Sequence, residues 1–248
     1  MTAIAVPYHL DEHLPGLDLV LRPDEVITAE LPHGGTWERL ATLYAAVARA
    51  VSASASEGTR PVVVCGDCCT ALGIVAGLQR ARRSVGIVWF DAHGDLQTPE
   101  TTASGYLGGM PLRLLAGYQP ELIAAKLGLW PVPEDQILLV GARDLDPPEV
   151  SYLATSAIKQ KDVAAAVAAD LPAVPLYVHV DLDVLDPGEV AGLRYPAPGG
   201  KTTAQLAECI AALLATGRVA AVGVACTWHV GHVQAAPVRQ LIAGVLDR

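Results

Sequence analysis

Two short clusters of acidic residues and histidine stand out in this sequence of 248 residues, and each follows an apolar run. The run WFDAHGD at 89–95 carries Asp91, His93 and Asp95, and the run VDLD at 180–183 carries Asp181 and Asp183. Alternate residues of an extended strand end face the same way, so each cluster can direct its side chains to one point. Carboxylates with one imidazole suit manganese or a similar divalent ion, and also fit zinc. Either cluster alone could be a solvated loop of helix-capping carboxylates, but the pair favours a metal site.

The composition indicates a globular protein with a large core. Hydrophobic residues make up 52% and charged residues 17% of the chain, which argues against extensive disorder. The net charge of −9 excludes a general nucleic-acid binder, because such a protein needs a basic face. The first seven residues lack a basic region, and no uncharged apolar stretch reaches ~18 residues, so we predict no secretion signal and no membrane partner. Five cysteines, an odd number, favour a reduced, cytoplasmic protein.

Strand-like and helix-like segments alternate along the chain. We predict strands at 2–7, 61–65, 85–90, 136–140, 176–180 and 219–225, and helices at 37–54, 70–82, 161–169, 203–215 and 233–246. Continuous Val, Ile and Leu strands alternating with helices predict an α/β fold: three layers, with a doubly wound, mostly parallel sheet and helices on both faces. No linker divides residues 1–248, so we expect a single domain. Ligands of such sheets bind beyond the carboxyl ends of strands, where both clusters lie.

The two clusters, in this order, resemble motifs of the ureohydrolase family, which comprises arginase, agmatinase and their relatives. Residues 89–95 look like its D-A-H-x-D motif and residues 181–187, DLDVLDP, look like its D-x-D-x-x-D-P motif. The resemblance implies an arginase-like fold with two Mn²⁺ sites and a bridging hydroxide that attacks a guanidinium carbon. By the same resemblance Asp91 and Asp181 would bridge the metals. Asp95 would bind one metal and accept a proton, and His93 and Asp183 would bind the other metal.

Two further segments resemble the arginase branch of the family. Gln97, Thr102 and Ser104 match polar positions of the loop that holds the substrate's α-carboxylate. In GARDLDPPE at 141–149, Asp146 and Glu149 match positions that face the α-amino group. Amides and hydroxyls suit a carboxylate, and carboxylates suit an ammonium. Each segment alone is better explained as a turn or a helix cap, but together they favour a small guanidino amino acid over a decarboxylated amine such as agmatine.

The first departure from the family pattern is Cys68, in CGDCC at 65–69, which stands where the pattern GGDHS has a metal-binding histidine. A thiolate is softer than imidazole and suits zinc or iron better than manganese. The metal site next to Cys68 would therefore be weak, empty or occupied by a different ion. Cys65 and Cys68 also form a C-x-x-C that could be a redox pair, although this does not explain the carboxylates. Inert buried cysteines are a further alternative.

The second departure is Gly108, at a position where arginases usually have a proton-transfer histidine. His229 and His232 are candidates to replace it, although histidines in loops are more often surface residues. His179 precedes Asp181 by two residues and either shares its face or is simply buried in the strand.

The third departure is Cys226, which replaces an acidic residue that grips the guanidinium in the family pattern. Loss of that partner should weaken binding of a buried cation by roughly several kcal/mol. N-hydroxylation lowers guanidine basicity, so we predict a manganese-dependent amidinohydrolase that binds its substrate near Cys226 and converts Nω-hydroxy-L-arginine to hydroxyurea and ornithine. The alternatives are an ordinary arginase that releases urea, and a non-catalytic relative that binds an amino acid or a metal. The sequence is compatible with a monomer or a homo-oligomer.

Overall fold

The computed structural model of the chain describes residues 1–17, 22–81, 83–166, 171–232 and 235–246. Its strands are β1 (Thr2–Val6), β2 (Tyr8–His9), β3 (Glu12–His13), β4 (Glu25–Val26), β5 (Pro61–Cys65), β6 (Gly86–Phe90), β7 (Ile137–Val140), β8 (Lys159–Lys161), β9 (Leu176–Asp181) and β10 (Val219–Ala225). Its α-helices are α1 (Thr36–Ser56), α2 (Ala71–Arg80), α3 (Pro111–Leu115), α4 (Ala124–Leu127), α5 (Pro147–Leu153), α6 (Thr203–Ala215) and α7 (Ala235–Leu246).

Eight of these strands form one sheet in the order β4-β1-β5-β10-β9-β6-β7-β8, and every pairing within it is parallel. The remaining two, β2 and β3, form a small antiparallel hairpin. Helices cover both faces of the large sheet, which confirms the predicted three-layer, doubly wound fold. In the described part of the chain, no helix has the length and apolar character needed to cross a bilayer.

The two faces of the sheet bury two separate hydrophobic clusters. Along β9, Tyr177 belongs to the cluster that includes α1 and α2, whereas Val178 belongs to the cluster that includes α6 and α7. This is the alternation expected of a strand that is covered on both sides. Two glycines on α2 let it approach α1 closely: a Cβ at Gly73 would lie 2.8 Å from the carbonyl oxygen of Tyr44. The same holds at Gly77, where a Cβ would lie 2.7 Å from the carbonyl oxygen of Ala48.

The strand register aligns the carboxyl ends of the central strands. Ala225 at the end of β10 pairs with Cys65 on one side and with Asp181 on the other. On the far side of β9, Val180 pairs with Phe90, the last residue of β6. The loops after β5, β6, β9 and β10 therefore leave the sheet at one edge and at one level, which brings residues distant in sequence together there.

The predicted helix at 161–169 is wrong over its first half. Lys159–Lys161 instead forms the edge strand β8, which pairs with β7, and a 3₁₀ turn follows at Val163–Ala165. The Asp162 carboxylate accepts a hydrogen bond from the backbone N–H of Ala164, so local capping and sheet pairing override the helical preference of the alanines. Residues 167–170 lie outside the described residues, as do 82, 233 and 234 of two other predicted helices. The other predicted elements agree within two residues at each described end.

Candidate functional site

A cavity opens at the edge where the central strands end. All of the predicted site residues except Cys226 line it: Cys68, Asp91, His93, Asp95, Gln97, Thr102, Ser104, Asp146, Glu149, Asp181 and Asp183. They come from the loops after β5, β6, β7 and β9, so parallel pairing of the strands is what brings them together.

The imidazole of His93 lies between two carboxylates. Its Nδ1 is 3.1 Å from Asp183 Oδ2 and 3.4 Å from Asp91 Oδ1. Burial would lower the pKa of His93, but hydrogen bonds with Asp183 and Asp91 outweigh it and raise the pKa to about 12. The backbone fixes the same carboxylates, since Ala92 N–H donates to Asp183 Oδ1 at 3.1 Å and His93 N–H donates to Asp91 Oδ1 at 2.7 Å. One ligand atom from each of Asp91, His93 and Asp183 therefore lies close to the other two. With two carboxylates and one imidazole, this group offers mainly hard oxygen ligands.

Buried carboxylates crowd the floor of the cavity. The pKa of Asp95 is raised well above its usual range, mainly by burial and to a lesser extent by the negative charges of Asp91 and Asp181. Burial and then Asp183 and Asp91 do the same to the pKa of Asp181. Asp95 also has a left-handed backbone, with φ 52°, which is unusual for a residue other than glycine. Its buried Oδ2 has no hydrogen-bond partner among the described residues. A divalent cation would offset these charges, so the donor set fits a metal.

A second group of potential ligands adjoins the first and shares Asp91 with it. A ligand atom from each of Cys68, Asp91 and His179 lies within 4.8 Å of the other two. The thiol of Cys68 donates to Asp181 Oδ2 at 2.8 Å. Burial and then the neighbouring carboxylates of Asp181 and Asp95 raise the pKa of Cys68 well above its usual range. This group contains sulfur, oxygen and nitrogen and is softer than the group around His93.

The structure also bears on the redox alternative. Cys65 and Cys68 are both buried as free thiols. The thiol of Cys65 donates to the backbone carbonyls of Asp67 and Val224, whereas that of Cys68 donates to a cavity carboxylate. The two sulfurs therefore have different partners, and only Cys68 lines the cavity.

Asp67 holds Cys68 in place at the start of a 3₁₀ turn, Cys68–Thr70. Its Oδ1 accepts hydrogen bonds from the Thr70 N–H and the Tyr44 hydroxyl, both at 3.2 Å. Its Oδ2 accepts from the backbone N–H of Leu10 at 2.6 Å. Burial raises the pKa of Asp67 to about 6, although these hydrogen bonds act to lower it. The carboxyl group thus ties the loop after β5 to α1 and to the N-terminal segment.

Arg143 holds the loop after β9 in a comparable way. Its guanidinium donates to the backbone carbonyls of Asp183 at 2.9 Å, Ala197 at 2.8 Å and Pro198 at 2.9 Å. These are carbonyls without strand partners, and a guanidinium can satisfy several of them at once. Arg143 therefore positions Asp183 without itself lining the cavity.

The outer wall of the cavity is a hydrogen-bonded network. The Gln97 amide donates to Asp146 Oδ2 at 2.7 Å, and the hydroxyls of Thr102 and Ser104 are 3.4 Å apart. Glu149 uses both carboxylate oxygens on the backbone: one accepts from the Leu96 N–H and the other from the Asp146 N–H, each at 3.0 Å. Glu149 is thus a helix cap at α5 that also joins two loops of the wall.

Cys226 lies behind the cavity wall. It is fully buried, and its sulfur is 3.9 Å from the carbonyl oxygen of Val224. Burial raises the pKa of its thiol, which is therefore neutral. Thr227, the next residue, lines the cavity instead. His229 and His232 are exposed and are not among the described residues that line it.

Tyr106, Tyr195 and Thr227 line the cavity but were missed in the sequence. Tyr106 occupies space that a side chain at Gly108 would need: a Cβ there would lie 2.2 Å from Tyr106 Cε1 and 2.4 Å from its hydroxyl oxygen. The Tyr106 hydroxyl is 3.0 Å from His9 Nε2, and the two rings stack. For Tyr106, the sequence shows only that an aromatic residue follows the polar segment 97–105. This does not indicate the direction of its ring.

Comparison with known proteins identifies the family of the chain. The family model described as "Arginase family" matches residues 16–227. The chain is 32% identical over 172 residues to an arginase of Staphylococcus aureus, a match that covers 61% of this chain and 55% of that protein. The chain thus spans about half the length of the curated relatives it matches.

Solved structures share the fold along their whole length. An arginase from Bacillus cereus superposes with a TM-score of 0.86 at 23% identity, covering 99% of this chain and 98% of that one. An Entamoeba histolytica arginase in complex with L-ornithine gives a TM-score of 0.83 at 20% identity, with 100% and 98% covered.

Proposed function

Because the chain belongs to the arginase family, we propose that residues 1–248 act as a single-domain, metal-dependent amidinohydrolase of a guanidino amino acid. The proposed substrate is Nω-hydroxy-L-arginine. Water adds to the guanidino carbon, and the bond from that carbon to the δ-nitrogen breaks. The δ-nitrogen takes up a proton and leaves as the amine of ornithine, and the carbon departs as hydroxyurea.

The two ligand groups would hold two metal ions, for which the family implies manganese. Asp91, His93 and Asp183 would hold one, while Cys68 and Asp95 would hold the other, with Asp91 and Asp181 shared. Bound metal would supply Lewis acidity to the reaction and offset the buried negative charge. Asp95 would accept the proton released as water adds, because its Oδ2 lies in the cavity wall without a hydrogen-bond partner among the described residues.

The observation that carries the substrate assignment is the end of β10. Directly after the strand, Cys226 has a buried, neutral thiol, and Thr227 has a hydroxyl and lines the cavity. A neutral hydroxyl binds a permanent guanidinium cation more weakly than a carboxylate does. N-hydroxylation makes the group less basic, so the hydroxylated substrate loses less from this replacement.

The outer wall fits the other end of an amino acid. Gln97, Thr102 and Ser104 present an amide and two hydroxyls that would bind an α-carboxylate. Asp146 would bind the α-amino group, after exchanging its hydrogen bond with Gln97 for one with the ammonium. Glu149 would act indirectly, because both of its oxygens hold the backbone of the wall.

The test compares three substrates with the metal-replete protein: Nω-hydroxy-L-arginine, L-arginine and agmatine. Urea, hydroxyurea and ornithine are quantified by mass spectrometry, and Asp181→Asn provides an inactive control. We expect kcat/KM for the hydroxylated substrate to exceed that for arginine at least about tenfold, a difference of about 1.4 kcal/mol in transition-state binding, with no reaction of agmatine.

Ordinary arginase activity is the second candidate, favoured by the similarity to the Staphylococcus aureus arginase. A clear preference for arginine in the same assay would overturn the proposed substrate and support that candidate. If the wild-type protein bound metal but released no product from any of the three, the amidinohydrolase assignment itself would fail, and a binding protein would be the better description.

A further inference from the structure

His179 is a buried histidine next to Cys68 and Asp91, and the proposed reaction does not use it. Strand periodicity places it on the same face of β9 as Tyr177 and Asp181, and it is fully buried. Its ring stacks on the indole of Trp89, with centroids 3.6 Å apart and an interplanar angle of 15°. Its Nδ1 is 2.9 Å from the Tyr177 hydroxyl. The stacking and the hydrogen bond leave the ring one orientation.

The other ring nitrogen of His179 is a buried polar atom without a partner. Nε2 has no hydrogen bond with any of the described residues. Leaving such an atom unpaired costs about 1–3 kcal/mol, so a buried nitrogen with a fixed orientation calls for a physical explanation. The ring is close to Cys68 and Asp91, and one ligand atom from each of the three residues lies within 4.8 Å of the other two.

The hydrogen bond with Tyr177 is compatible with the tautomer that a ligand needs. When Nδ1–H donates to the tyrosine oxygen, the proton is on Nδ1 and the lone pair of Nε2 is free. Metal-binding histidines commonly donate their second N–H to a neighbour, which fixes the ring and makes it more basic. Tyr177 is in the right place for this, because its hydroxyl lies next to His179 on the same strand.

We propose that His179 is a metal ligand that supplies, from β9, the imidazole absent at Cys68, and that Cys68, Asp91 and His179 form a site selective for Zn²⁺ over Mn²⁺. Thiolate and imidazole are ligands that zinc prefers, whereas the carboxylate-rich group around His93 suits manganese. Zinc binding would displace the thiol proton of Cys68, now donated to Asp181, and release it to solvent. The inference rests on the proposed function for the presence of a metal centre, but metal binding without turnover tests it.

The experiment measures metal content and zinc affinity. The full chain is stripped with a chelator, equilibrated with equal concentrations of Zn²⁺ and Mn²⁺, dialysed and analysed by plasma mass spectrometry. Zinc affinity follows from competition with a chromophoric chelator. We expect the wild type to hold one zinc and one manganese, and His179→Gln to lose the zinc while retaining the manganese. His33→Gln, a change at an exposed histidine, serves as the matched control and should bind as the wild type does.

A milder variant covers the case in which His179→Gln does not fold. Tyr177→Phe removes only the hydroxyl that orients the ring, and we expect it to weaken zinc binding about 10–100-fold. Tyr152→Phe removes a hydroxyl that bonds with Arg113 instead, and should leave zinc binding unchanged. Wild-type zinc content and affinity in both His179→Gln and Tyr177→Phe would overturn the proposal while leaving the proposed function intact. A wild type that binds neither metal would overturn both.

Discussion

The contact between Tyr106 and Gly108 yields a quantitative prediction. A Cβ at position 108 would lie 2.2, 2.3 and 2.4 Å from Cε1, Cζ and the hydroxyl oxygen of Tyr106, which is closer than non-bonded atoms can approach. Gly108→Ala therefore forces the tyrosine ring away. The clashing atoms are the far end of a half-buried side chain, so moving them costs about 1 kcal/mol, at the low end for overpacking, and loss of the hydrogen bond with His9 adds about 1 kcal/mol. We expect Gly108→Ala to lower the free energy of unfolding by about 2 kcal/mol.

Urea unfolding followed by circular dichroism measures this loss. Gly109→Ala is the matched control, because a Cβ there meets only Cγ of Gln97, at an ordinary distance of 3.7 Å. The control should change the free energy of unfolding by no more than about 0.5 kcal/mol. In the double variant Tyr106→Ala/Gly108→Ala the clash is gone, so the two changes should be non-additive by about 1–2 kcal/mol.

Additive effects in this cycle, or a Gly108→Ala variant as stable as Gly109→Ala, would refute the argument that the two side chains exclude each other. The result also bears on the histidine that the family resemblance led us to expect at position 108. A histidine introduced there would have to displace the Tyr106 ring before it could face the cavity.

Two further predictions concern the loops that carry the metal ligands. Arg143→Met removes the donors for the carbonyls of Asp183 and its neighbours, and should lower the free energy of unfolding in urea by about 2–4 kcal/mol; a change no larger than that of the exposed control Arg49→Met would contradict this. Cys68→His replaces a soft ligand with a harder one and should raise the manganese content per chain after dialysis; an unchanged content would mean that position 68 contributes no ligand.

Most of the sheet could be predicted because its strands are continuous apolar runs. Buried parallel strands such as β5 and β10 have no polar alternation to blur their ends, and both have the predicted bounds. The edge strand β8 could not be predicted, because its sequence Lys-Gln-Lys is exposed and polar and only its pairing with β7 makes it a strand. Tertiary context of this kind is not encoded in local periodicity.

Some features of the site could likewise be predicted from the sequence, and others could not. Asp91, His93 and Asp95 are expected together as alternate residues of an extended strand end, and all three do line the cavity. The reason is different, because β6 ends at Phe90 and the three residues lie in the loop after it, where Asp95 has a left-handed backbone. The Asp67 cap required knowledge that Leu10 and Tyr44 approach from other elements. Contacts between loops that are distant in sequence depend on the assembled sheet. The partners of Tyr106 and His179 therefore could not be predicted from the sequence.

The three positions at which the sequence departs from the expected family pattern share a structural feature. Beside each changed position, a neighbouring side chain lines or fills the space: Tyr106 at Gly108, His179 next to Cys68, and Thr227 after Cys226.

The buried carboxylates bear on metal binding through their energetics. Burial and mutual repulsion raise the pKa of Asp95 and Asp181 well above the usual range, and burial and the charge of Asp91 raise that of Asp183 to about 7. A buried carboxyl with a raised pKa destabilises the fold progressively as the pH rises from the ordinary pKa of the unfolded chain to the raised pKa, because over that range the unfolded chain ionises and the folded chain does not. A protein with no use for metal would be more stable without this cluster. A bound cation reverses the balance, because it favours the ionised carboxylates and binds only the folded chain. The cluster of buried carboxylates therefore favours a protein that binds metal over one that does not.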